Sequence, residues 1–225
     1  MAVDHDVATR ARAFLGTAHD KVTAFGEALA AEGVVRGLIG PRELPRLWER
    51  HLLNSAALVP YLPETGTVVD VGSGAGLPGF VIACVRPDLL VVLVEPMERR
   101  ALWLTEVADA LDLSSTVQVV QRRAEELHGQ LVADAVTARA VAPLDRLVAW
   151  TLPLVRLGGA LLAMKGSRAQ DEVLAAARDI ERLGGAPAEI IRAETIPDVA
   201  PTGIVRIVRV RPAPPVKAPR RARRR

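Results

Sequence analysis

The residues with the clearest chemical meaning form a glycine-rich segment behind an apolar run. The run Val68–Val71 contains a single acid, and the chain continues as Gly-Ser-Gly-Ala-Gly-Leu-Pro-Gly through Gly79. Glycine lets a ligand approach the backbone closely and tolerates positive φ where a turn needs it. Pro78 suits the first turn of a following helix, whose free N–H groups would face the ligand. The segment predicts a buried strand that ends in a loop binding a nucleotide-like ligand.

Two cofactors fit this loop. Gly74, Gly76 and Gly79 satisfy the dinucleotide pattern Gly-x-Gly-x-x-Gly, which is a weak signal by itself. The order acid-x-Gly-x-Gly-x-Gly, which begins at Asp70 and continues with Gly72, favours S-adenosylmethionine (AdoMet). In that case Asp70 either anchors the loop or meets the cationic amino-acid end of the cofactor. A turn with a purely structural role is the remaining interpretation.

The composition fits one hydrophobic core with a modest extension. The chain has 225 residues, of which 50% are apolar, and its mean hydropathy is +0.21. No apolar run approaches the roughly 18 residues of a membrane span, and the N-terminus lacks the basic-then-apolar order of a secretory signal. We therefore expect a cytosolic protein without membrane contact. Cys84, the single cysteine, lies in an apolar run and is predicted to pack in the core.

The basic character of the chain is concentrated at its C-terminus. The formal net charge is +3, but six of the 29 basic residues occupy the last nine positions, and residues 212–225 include no acid. Without these six cations the net charge becomes −3. Such a Pro/Arg-rich tail is predicted to be disordered. It either adds sequence-independent affinity for phosphates or only improves solubility.

The apolar pattern divides the chain into a helical part and an alternating part. Helices are predicted at 7–15, 20–32 and about 44–58. Further along, predicted strands at 67–71, 89–94, 117–120, 133–138 and 159–164 alternate with helices from 77 and at 97–111, 144–155 and 168–183. Wholly apolar strands that alternate with helices predict an α/β fold with a mostly parallel sheet covered on both faces. We divide the chain into a helical extension (1–60), a ligand-binding core (61–211) and the tail (212–225).

The last two predicted strands follow a different pattern. Residues 188–193 and 204–210 are joined by a Pro-rich connection without a helix, so we expect an antiparallel pair at one edge of the sheet. Arg206 and Arg209 break strict alternation in the second of them. This favours an edge position or a bulge.

Polar residues at the ends of the strands are the candidates for a binding site, because open parallel sheets bind ligands there. Glu95 follows the second strand and is placed to accept hydrogen bonds from both ribose hydroxyls, although an acid also suits a helix start. The third strand leads to Ala124 and Glu125, where a methyltransferase would hold the adenine. Arg139 and Lys165 end the next two strands. Two such cations favour a ligand site over ordinary ion pairs.

The motifs and their order resemble the RsmG family, also called GidB. They are the loop Asp70–Gly79, Glu95–Arg100, Ala138–Ala140, Met164–Gly166 and the upstream segment Arg50–Ser55. The Leu-Pro-Gly sequence after the glycines is the most specific of them, and the resemblance covers about residues 25–210. Asn54 and Leu102 depart from the pattern, which often has Asp and a basic residue at these places.

This resemblance implies the class I (Rossmann-like) AdoMet-dependent methyltransferase fold: a mostly parallel seven-stranded sheet with an antiparallel edge, plus an N-terminal helical extension. The implied activity is methylation of nitrogen 7 of a guanine in the 530 loop of bacterial 16S ribosomal RNA. The resemblance also implies AdoMet contacts at several of the positions above. The predicted cofactor-binding residues are Asp70, Gly72, Gly74, Gly76, Leu77, Glu95, Ala124, Glu125 and Arg139.

The implied chemistry requires neither a general base nor a metal. Nitrogen 7 carries a free in-plane lone pair, so alignment of the reactants supplies most of the acceleration. We expect a monomer that acts on 16S rRNA or the small ribosomal subunit, at an accessible loop, because A-form RNA hides nitrogen 7 in its deep groove. The predicted RNA contacts are Arg99, Arg100, Arg122, Arg123 and Lys165.

Two other functions stay open at this point. An NAD(P)-dependent oxidoreductase would use the dinucleotide pattern, but Tyr61, the only tyrosine, precedes the first strand and is poorly placed as a proton donor. A non-catalytic RNA-binding protein would keep the loop and bind through its tail. His51 is expected to be a half-buried structural residue. Trp48, Trp103 and Trp150 are expected to pack like Tyr61.

Overall fold

Seven β-strands form one mixed sheet in the computed structural model, which describes residues 5–212. The strands are β1 (Gly66–Val71), β2 (Leu89–Val94), β3 (Val117–Val120), β4 (Ala133–Arg139), β5 (Val155–Met164), β6 (Glu189–Ala193) and β7 (Thr202–Val208). Their order in the sheet is β3-β2-β1-β4-β5-β7-β6. The first five strands run parallel, and β7 runs antiparallel to both of its neighbours. The predicted mostly parallel sheet is confirmed.

Helices cover both faces of this sheet. They are α1 (His5–Leu15), α2 (His19–Glu32), α3 (Asn54–Ala56), α4 (Gly79–Val85), α5 (Glu98–Ala110), α6 (Leu144–Thr151) and α7 (Ala169–Arg182). The first five helices share one hydrophobic cluster with one face of the sheet, and α6 and α7 share the other. Val68 and Val69 show why the strands are wholly apolar: these neighbours are buried in opposite clusters.

The N-terminal helices are part of the same packed body as the sheet. The rings of Phe25 in α2 and Phe80 in α4 lie 5.2 Å apart between centroids. Both side chains are fully buried in the cluster that also contains Val68 of β1. The division between extension and core at residue 60 stays a prediction.

Residues 44–58 do not form the single helix that was predicted. A 3₁₀-helix covers Pro41–Arg46, a π-helical turn covers Trp48–Leu53, and α3 follows. Pro45 lies inside the first of these elements and lacks an N–H for helical bonding. The π-helical turn contains His51, and such turns are frequent at functional sites.

Three other predictions need correction. Helix α4 begins at Gly79 instead of residue 77, after a cis Leu77–Pro78 peptide. Helix α6 ends at Thr151, and the chain has joined the sheet by Val155. The strand predicted at 204–210 is neither at the edge nor bulged, because β7 pairs without a register shift between β5 and β6.

The arginines that prompted that prediction have other partners. Arg206 pairs with Glu189 on β6 at 3.2 Å. Arg209 lies beyond β7 and donates to the carbonyl oxygens of Pro153 and Val155. The outermost strand on this side is β6. No helix in the described part of the chain is both long and apolar enough to cross a bilayer. The predicted tail, apart from Pro212, lies outside the described residues.

Candidate ligand-binding site

Asp70 lies beneath the glycine-rich loop and is wholly buried, with 0% exposure. Its Oδ2 accepts the N–H of Gly79 at 3.1 Å, and its Oδ1 accepts the hydroxyl of Thr137 in β4 at 3.2 Å. The hydroxyl of Ser73 donates to the Asp70 carbonyl oxygen at 2.8 Å. Burial raises the pKa of Asp70 to about 6, against the lowering effect of these bonds. Of its two predicted roles, Asp70 has the geometry of the loop anchor.

Internal hydrogen bonds occupy most N–H groups of the loop. Gly72 and Ser73 donate to the Val94 carbonyl oxygen at 2.8 and 3.2 Å. The N–H of Gly79, which begins α4, is bound to Asp70. The prediction that N–H groups at this helix start face a ligand is therefore wrong for Gly79. The reason is that the helix begins next to the buried Asp70.

Two glycines of the motif face the protein interior. A Cβ at Gly76 would lie 2.2 Å from the Phe80 ring, and φ is +97° there. A Cβ at Gly79 would lie 2.2 Å from the Leu93 side chain and 2.8 Å from the Asp70 carboxylate. Neither glycine lines either of the two cavities described below. Both are needed for packing between the loop and the sheet.

A cavity of about 480 Å³ opens at the carboxyl ends of β1 to β4, and we call it the first cavity. Its volume is in the range of small-molecule sites, and its position follows the rule for open α/β sheets. After the strands, the chain contributes Gly72–Ala75 and Leu77, Glu95–Met97 and Arg100, Arg123–Glu125, and Arg139–Val141. The remaining lining residues are Leu38, Ile39, His51, Val71, Val94 and Trp150.

Glu95 lies on the wall of the first cavity with only 2% exposure. Its Oε2 accepts the N–H of Gly74 and its Oε1 accepts the N–H of Met97, each at 3.0 Å. Met97 is the N-cap of α5 and its helix start has no side-chain cap, so Glu95 holds the segment that leads into the helix and is not itself the cap. A carboxylate can accept about four hydrogen bonds. Two bonds to the chain leave Glu95 capacity for a ligand's hydroxyl groups.

Arg139 lies between this cavity and a neighbouring one. Its guanidinium donates to the carbonyl oxygens of Arg50 and His51 at 3.2 and 3.4 Å and to Nδ1 of His51. Within the described residues, Arg139 has no carboxylate partner within 4.0 Å. Burial, followed by the charge of Arg50, lowers the pKa of Arg139. The site thus holds a largely buried cation on which the carboxylates of Asp70 and Glu43 act only from beyond ion-pair distance.

The second cavity, of about 570 Å³, shares Arg139, Ala140 and Val141 with the first. Ala140 has the left-handed backbone conformation, with φ 53°. The other lining residues are Arg50, Asn54, Ala142, Pro143, Met164, Lys165, Gly166, Arg168, Glu172, Pro201, Thr202 and Gly203. Four cations and one carboxylate border this space, so it favours an anionic ligand.

Lys165 has two partners inside the protein. Its Nζ donates to the Ala142 carbonyl oxygen at 2.6 Å and to Glu172 at 2.7 Å. The same Glu172 oxygen accepts the N–H of Leu144 at the start of α6 at 2.9 Å. Lys165 therefore holds β5, α6 and α7 together at the edge of the second cavity.

The predicted cofactor-binding residues divide into two groups. Asp70 lies beneath the loop and Gly76 faces the protein interior, so neither borders the first cavity. The residues that do border it are Gly72, Gly74, Leu77, Glu95, Ala124, Glu125 and Arg139. Their contact with a cofactor stays a prediction.

The predicted RNA contacts are also divided. Arg100 and Arg123 line the first cavity, and Arg100 lies 3.9 Å from Glu95. Lys165 lines only the second cavity. Arg99 and Arg122 are exposed and border neither cavity, and Arg122 donates to Gln130. The structure therefore does not bring these five cations to one cavity, and their contact with RNA stays a prediction.

Sequence reasoning missed several lining residues. His51 was expected to be structural, yet it borders the first cavity and contacts Arg139. Trp150 was expected only to pack, yet it lies on the cavity wall. Leu38 and Ile39 come from the connection after α2 and carried no motif. The only sequence signal for His51 was its place in the Arg50–Ser55 segment.

The strand order and the site at the carboxyl ends of the strands define a class I methyltransferase fold. A SAM-dependent O-methyltransferase from Thermotoga maritima matches with a TM-score of 0.53 at 15% identity, over 81% of this chain and 72% of that one. A geranyl diphosphate C-methyltransferase from Streptomyces coelicolor matches with a TM-score of 0.54 at 16% identity, over 75% and 78%. These likenesses confirm the predicted fold class.

Sequence comparison gives the family. The model described as GidB, rRNA small subunit methyltransferase G, matches residues 18–195. The ribosomal RNA small subunit methyltransferase G of Salinispora tropica is 48% identical over 97% of this chain and 93% of its own. The protein of that name from Beutenbergia cavernae is 53% identical over 87% and 92%. The chain belongs to the rRNA small subunit methyltransferase G family, as its motifs predicted.

Proposed function

We propose that this protein is an AdoMet-dependent methyltransferase that methylates nitrogen 7 of a guanine in the 530 loop of bacterial 16S rRNA. The observation that carries the proposal is the first cavity, with Glu95 and the Gly72–Ala75 backbone on its wall, in a chain of this family. The names of the relatives support an rRNA substrate. The choice of nitrogen 7 and of the 530 loop rests on the family resemblance.

The donor set of the first cavity fits AdoMet. The ribose hydroxyls need an acceptor, which Glu95 offers with its remaining lone pairs. The carboxylate of the cofactor needs a cation, and Arg139 lines the cavity without a direct ion pair to any described carboxylate. The loop surface is open at Gly74, where a Cβ would meet nothing closer than 3.7 Å, whereas a Cβ at Gly72 would lie 2.8 Å from the Val141 side chain. Apolar side chains of Ile39 and Met97 offer contacts for an adenine.

The chain's own residues have to bind, orient and exclude water. AdoMet, when bound, supplies an activated methyl group. Nitrogen 7 of guanine already carries a lone pair, so no residue needs to remove a proton. The loop that Asp70 and Glu95 fix provides a rigid wall, and such orientation accounts for much of the acceleration in a two-substrate reaction. The proposed mechanism is direct in-line transfer without a general base.

The second cavity supports an approach path for the RNA. It adjoins the first cavity at Arg139 and is bordered by Arg50, Lys165 and Arg168. Phosphate groups are attracted to such a basic space, and a splayed guanine would be exposed at its nitrogen 7. Since Lys165 is bound to Glu172, we expect it to position the cavity wall more than to bind phosphate.

The oxidoreductase alternative loses its main support. The dinucleotide pattern needs the backbone of its second glycine, Gly76, open to the pyrophosphate, but Gly76 packs against the Phe80 ring and does not line the first cavity. In addition, β7 inserts antiparallel between β5 and β6, whereas a dinucleotide-binding sheet has the order 3-2-1-4-5-6 with parallel strands. The methylation experiment below distinguishes the proposed enzyme from a non-catalytic RNA-binding protein.

A binding and methylation experiment tests the proposal. S-adenosylhomocysteine should raise the melting temperature, because a ligand of the native state stabilises it, and NAD should not. Small subunits from cells lacking the protein, incubated with protein and AdoMet, should then gain 7-methylguanine in the 530 loop by mass spectrometry. Stabilisation by NAD alone would contradict the proposal. RNA binding without methyl transfer would favour the non-catalytic alternative.

Gly74→Asp tests whether the loop surface binds the cofactor. A Cβ at Gly74 would meet only ordinary van der Waals contacts, and the residue lines the first cavity, so the fold should persist while S-adenosylhomocysteine binding is lost. Gly129→Asp is a matched control, because it adds the same carboxylate at a positive φ of +76° in open space away from both cavities. Calorimetry with both variants gives the readout. Normal affinity in Gly74→Asp would contradict the site assignment.

A further inference from the structure

Arg139 is held by one turn of the N-terminal region, far away in sequence. All three of its acceptors belong to Arg50 and His51, in the π-helical turn. Two of them are backbone carbonyl oxygens, and the third is Nδ1 of His51 at 2.5 Å. The direction of the guanidinium therefore depends on the imidazole together with the two carbonyl oxygens of this turn.

The hydrogen bonds fix the protonation state of His51. A guanidinium can only donate, so Nδ1 must be the acceptor and carries no proton. The other ring nitrogen, Nε2, lies 2.9 Å from the Glu43 carboxylate and donates to it. His51 is thus a neutral imidazole in a single tautomer. Glu43 sets the tautomer, and the tautomer supplies the acceptor for Arg139.

We infer that Glu43 and His51 position the Arg139 guanidinium as the receptor for an anionic group at the junction of the two cavities. This inference rests on the proposed function. Carboxylate and phosphate share the required chemistry: the anion is the carboxylate of the cofactor in the first cavity or an RNA phosphate in the second. His51 is a positioning residue, because it acts through Arg139.

The charges around His51 predict how this arrangement depends on pH. Arg139 and Arg50 face the ring as cations, and Glu43 faces it as an anion. Burial, followed by the charge of Arg139, lowers the pKa of His51 below its ordinary value. Protonation would turn the Nδ1 contact from attraction to repulsion. Since the imidazole touches the guanidinium directly, this repulsion should outweigh the attraction of a more distant anion.

Two substitutions separate positioning from packing. His51→Asn keeps an acceptor oxygen near the place of Nδ1 but cannot titrate, so S-adenosylhomocysteine affinity should stay within about threefold of wild type at neutral pH. His51→Leu removes the acceptor and should weaken binding about 10- to 100-fold, as expected for a hydrogen bond to a charged group. His19→Asn is the control, because His19 is buried outside both cavities. It should lower the melting temperature alone.

The pH profile is the readout that a purely structural role would not change. The wild type should bind S-adenosylhomocysteine more weakly as the pH falls below neutral, and His51→Asn should lose this component. Asp70, whose pKa is about 6, titrates in the same range, so the difference between the two profiles isolates His51. Identical profiles for both S-adenosylhomocysteine and a 530-loop RNA, or affinity that rises on acidification only when His51 is present, would overturn the inference.

Ligands with and without the anionic group identify the source of the anion. 5′-Methylthioadenosine lacks the amino-acid carboxylate, so its affinity should be equal in wild type and His51→Leu if Arg139 holds that carboxylate. If Arg139 holds RNA instead, His51→Leu should weaken binding of a 530-loop RNA and leave S-adenosylhomocysteine unchanged. Unchanged binding of both would overturn the inference. A wild type that binds neither adenosine compound would remove the proposed function itself.

Discussion

The two faces of the glycine-rich loop have different functions. One face points into the protein, and the other borders the first cavity. The inner face consists of Asp70, Gly76 and Gly79, and the outer face consists of Gly72, Gly74 and Glu95. Each face contains one carboxylate that accepts an N–H of the loop. The glycine motif is continuous in sequence, yet some of its residues pack against the interior and others line the first cavity.

The difference between the two carboxylates follows from their surroundings. Asp70 uses both oxygens for buried donors, and burial raises its pKa. Glu95 also accepts two N–H groups, but it lies on the wall of the cavity and retains lone pairs for a ligand. We therefore expect substitutions on the inner face to change stability first. Substitutions on the outer face should change ligand affinity first.

Gly76→Ala should have the largest effect on stability. Its Cβ would lie 2.2 Å from the buried Phe80 ring, at a φ of +97° that alanine rarely adopts. Overpacking and backbone strain together predict a loss of about 3–5 kcal/mol in the free energy of unfolding, measured by urea denaturation. Gly74→Ala is the matched variant, because its Cβ meets only ordinary van der Waals contacts at 3.7 Å or more. It should cost about 1–2 kcal/mol for its positive φ. Equal losses would contradict the division into two faces.

Asp70→Ala should have the next largest effect. It leaves the buried Gly79 N–H and the Thr137 hydroxyl without their acceptor, which predicts a loss of about 2–3 kcal/mol. Asp70→Asn keeps the shape and one acceptor, and Thr137 can accept from the new amide. This second variant should fold with nearly normal S-adenosylhomocysteine affinity. Calorimetry and thermal denaturation on both variants measure the two quantities.

Asp70→Asn also predicts a difference in the pH dependence of stability. The folded-state pKa of Asp70 is about 6, above its ordinary value, so the folded protein favours the protonated form. The resulting stabilisation is complete below the unfolded pKa of about 3.9 and is lost as the pH rises through about 6. The stability of wild type minus that of Asp70→Asn should therefore fall between pH 4 and pH 7. A difference that rises with pH would contradict the buried location.

The sheet was predictable because burial on both faces leaves a strong local signal. The bounds of β2 and β3 agree with the predicted 89–94 and 117–120. Strand β7 was misplaced at an edge because Arg206 resembles an exposed residue. Its ion pair with Glu189 exists only once β6 is beside it, and sequence spacing does not encode that pairing.

The candidate site was predictable only where its residues follow strands. Glu95 and Arg139 were found because the ends of parallel strands meet at one edge. His51 was not, because its contact with Arg139 joins positions 88 residues apart in the chain. Leu38 and Ile39 reach the cavity through the fold of a connection without a motif. The sequence predicts that all the glycines of the motif form a ligand-binding loop, yet Gly76 and Gly79 are needed for packing. Sequence alone does not separate the two functions, because both require a residue without a side chain.

Glu95→Gln should have the smallest effect on stability and should act mainly on binding. The amide keeps the size of the side chain and one acceptor oxygen, but it loses the negative charge. Its NH₂ group would also face the N–H of either Gly74 or Met97, which are both donors. We expect about tenfold weaker S-adenosylhomocysteine binding by calorimetry and a stability loss of about 1 kcal/mol. Glu98→Gln removes an exposed acid three residues away, outside the cavity, and should change neither quantity. If Glu95→Gln instead destabilised the protein as strongly as Asp70→Ala while ligand affinity stayed normal, Glu95 would be a second loop anchor. The outer face would then have no ligand-binding carboxylate.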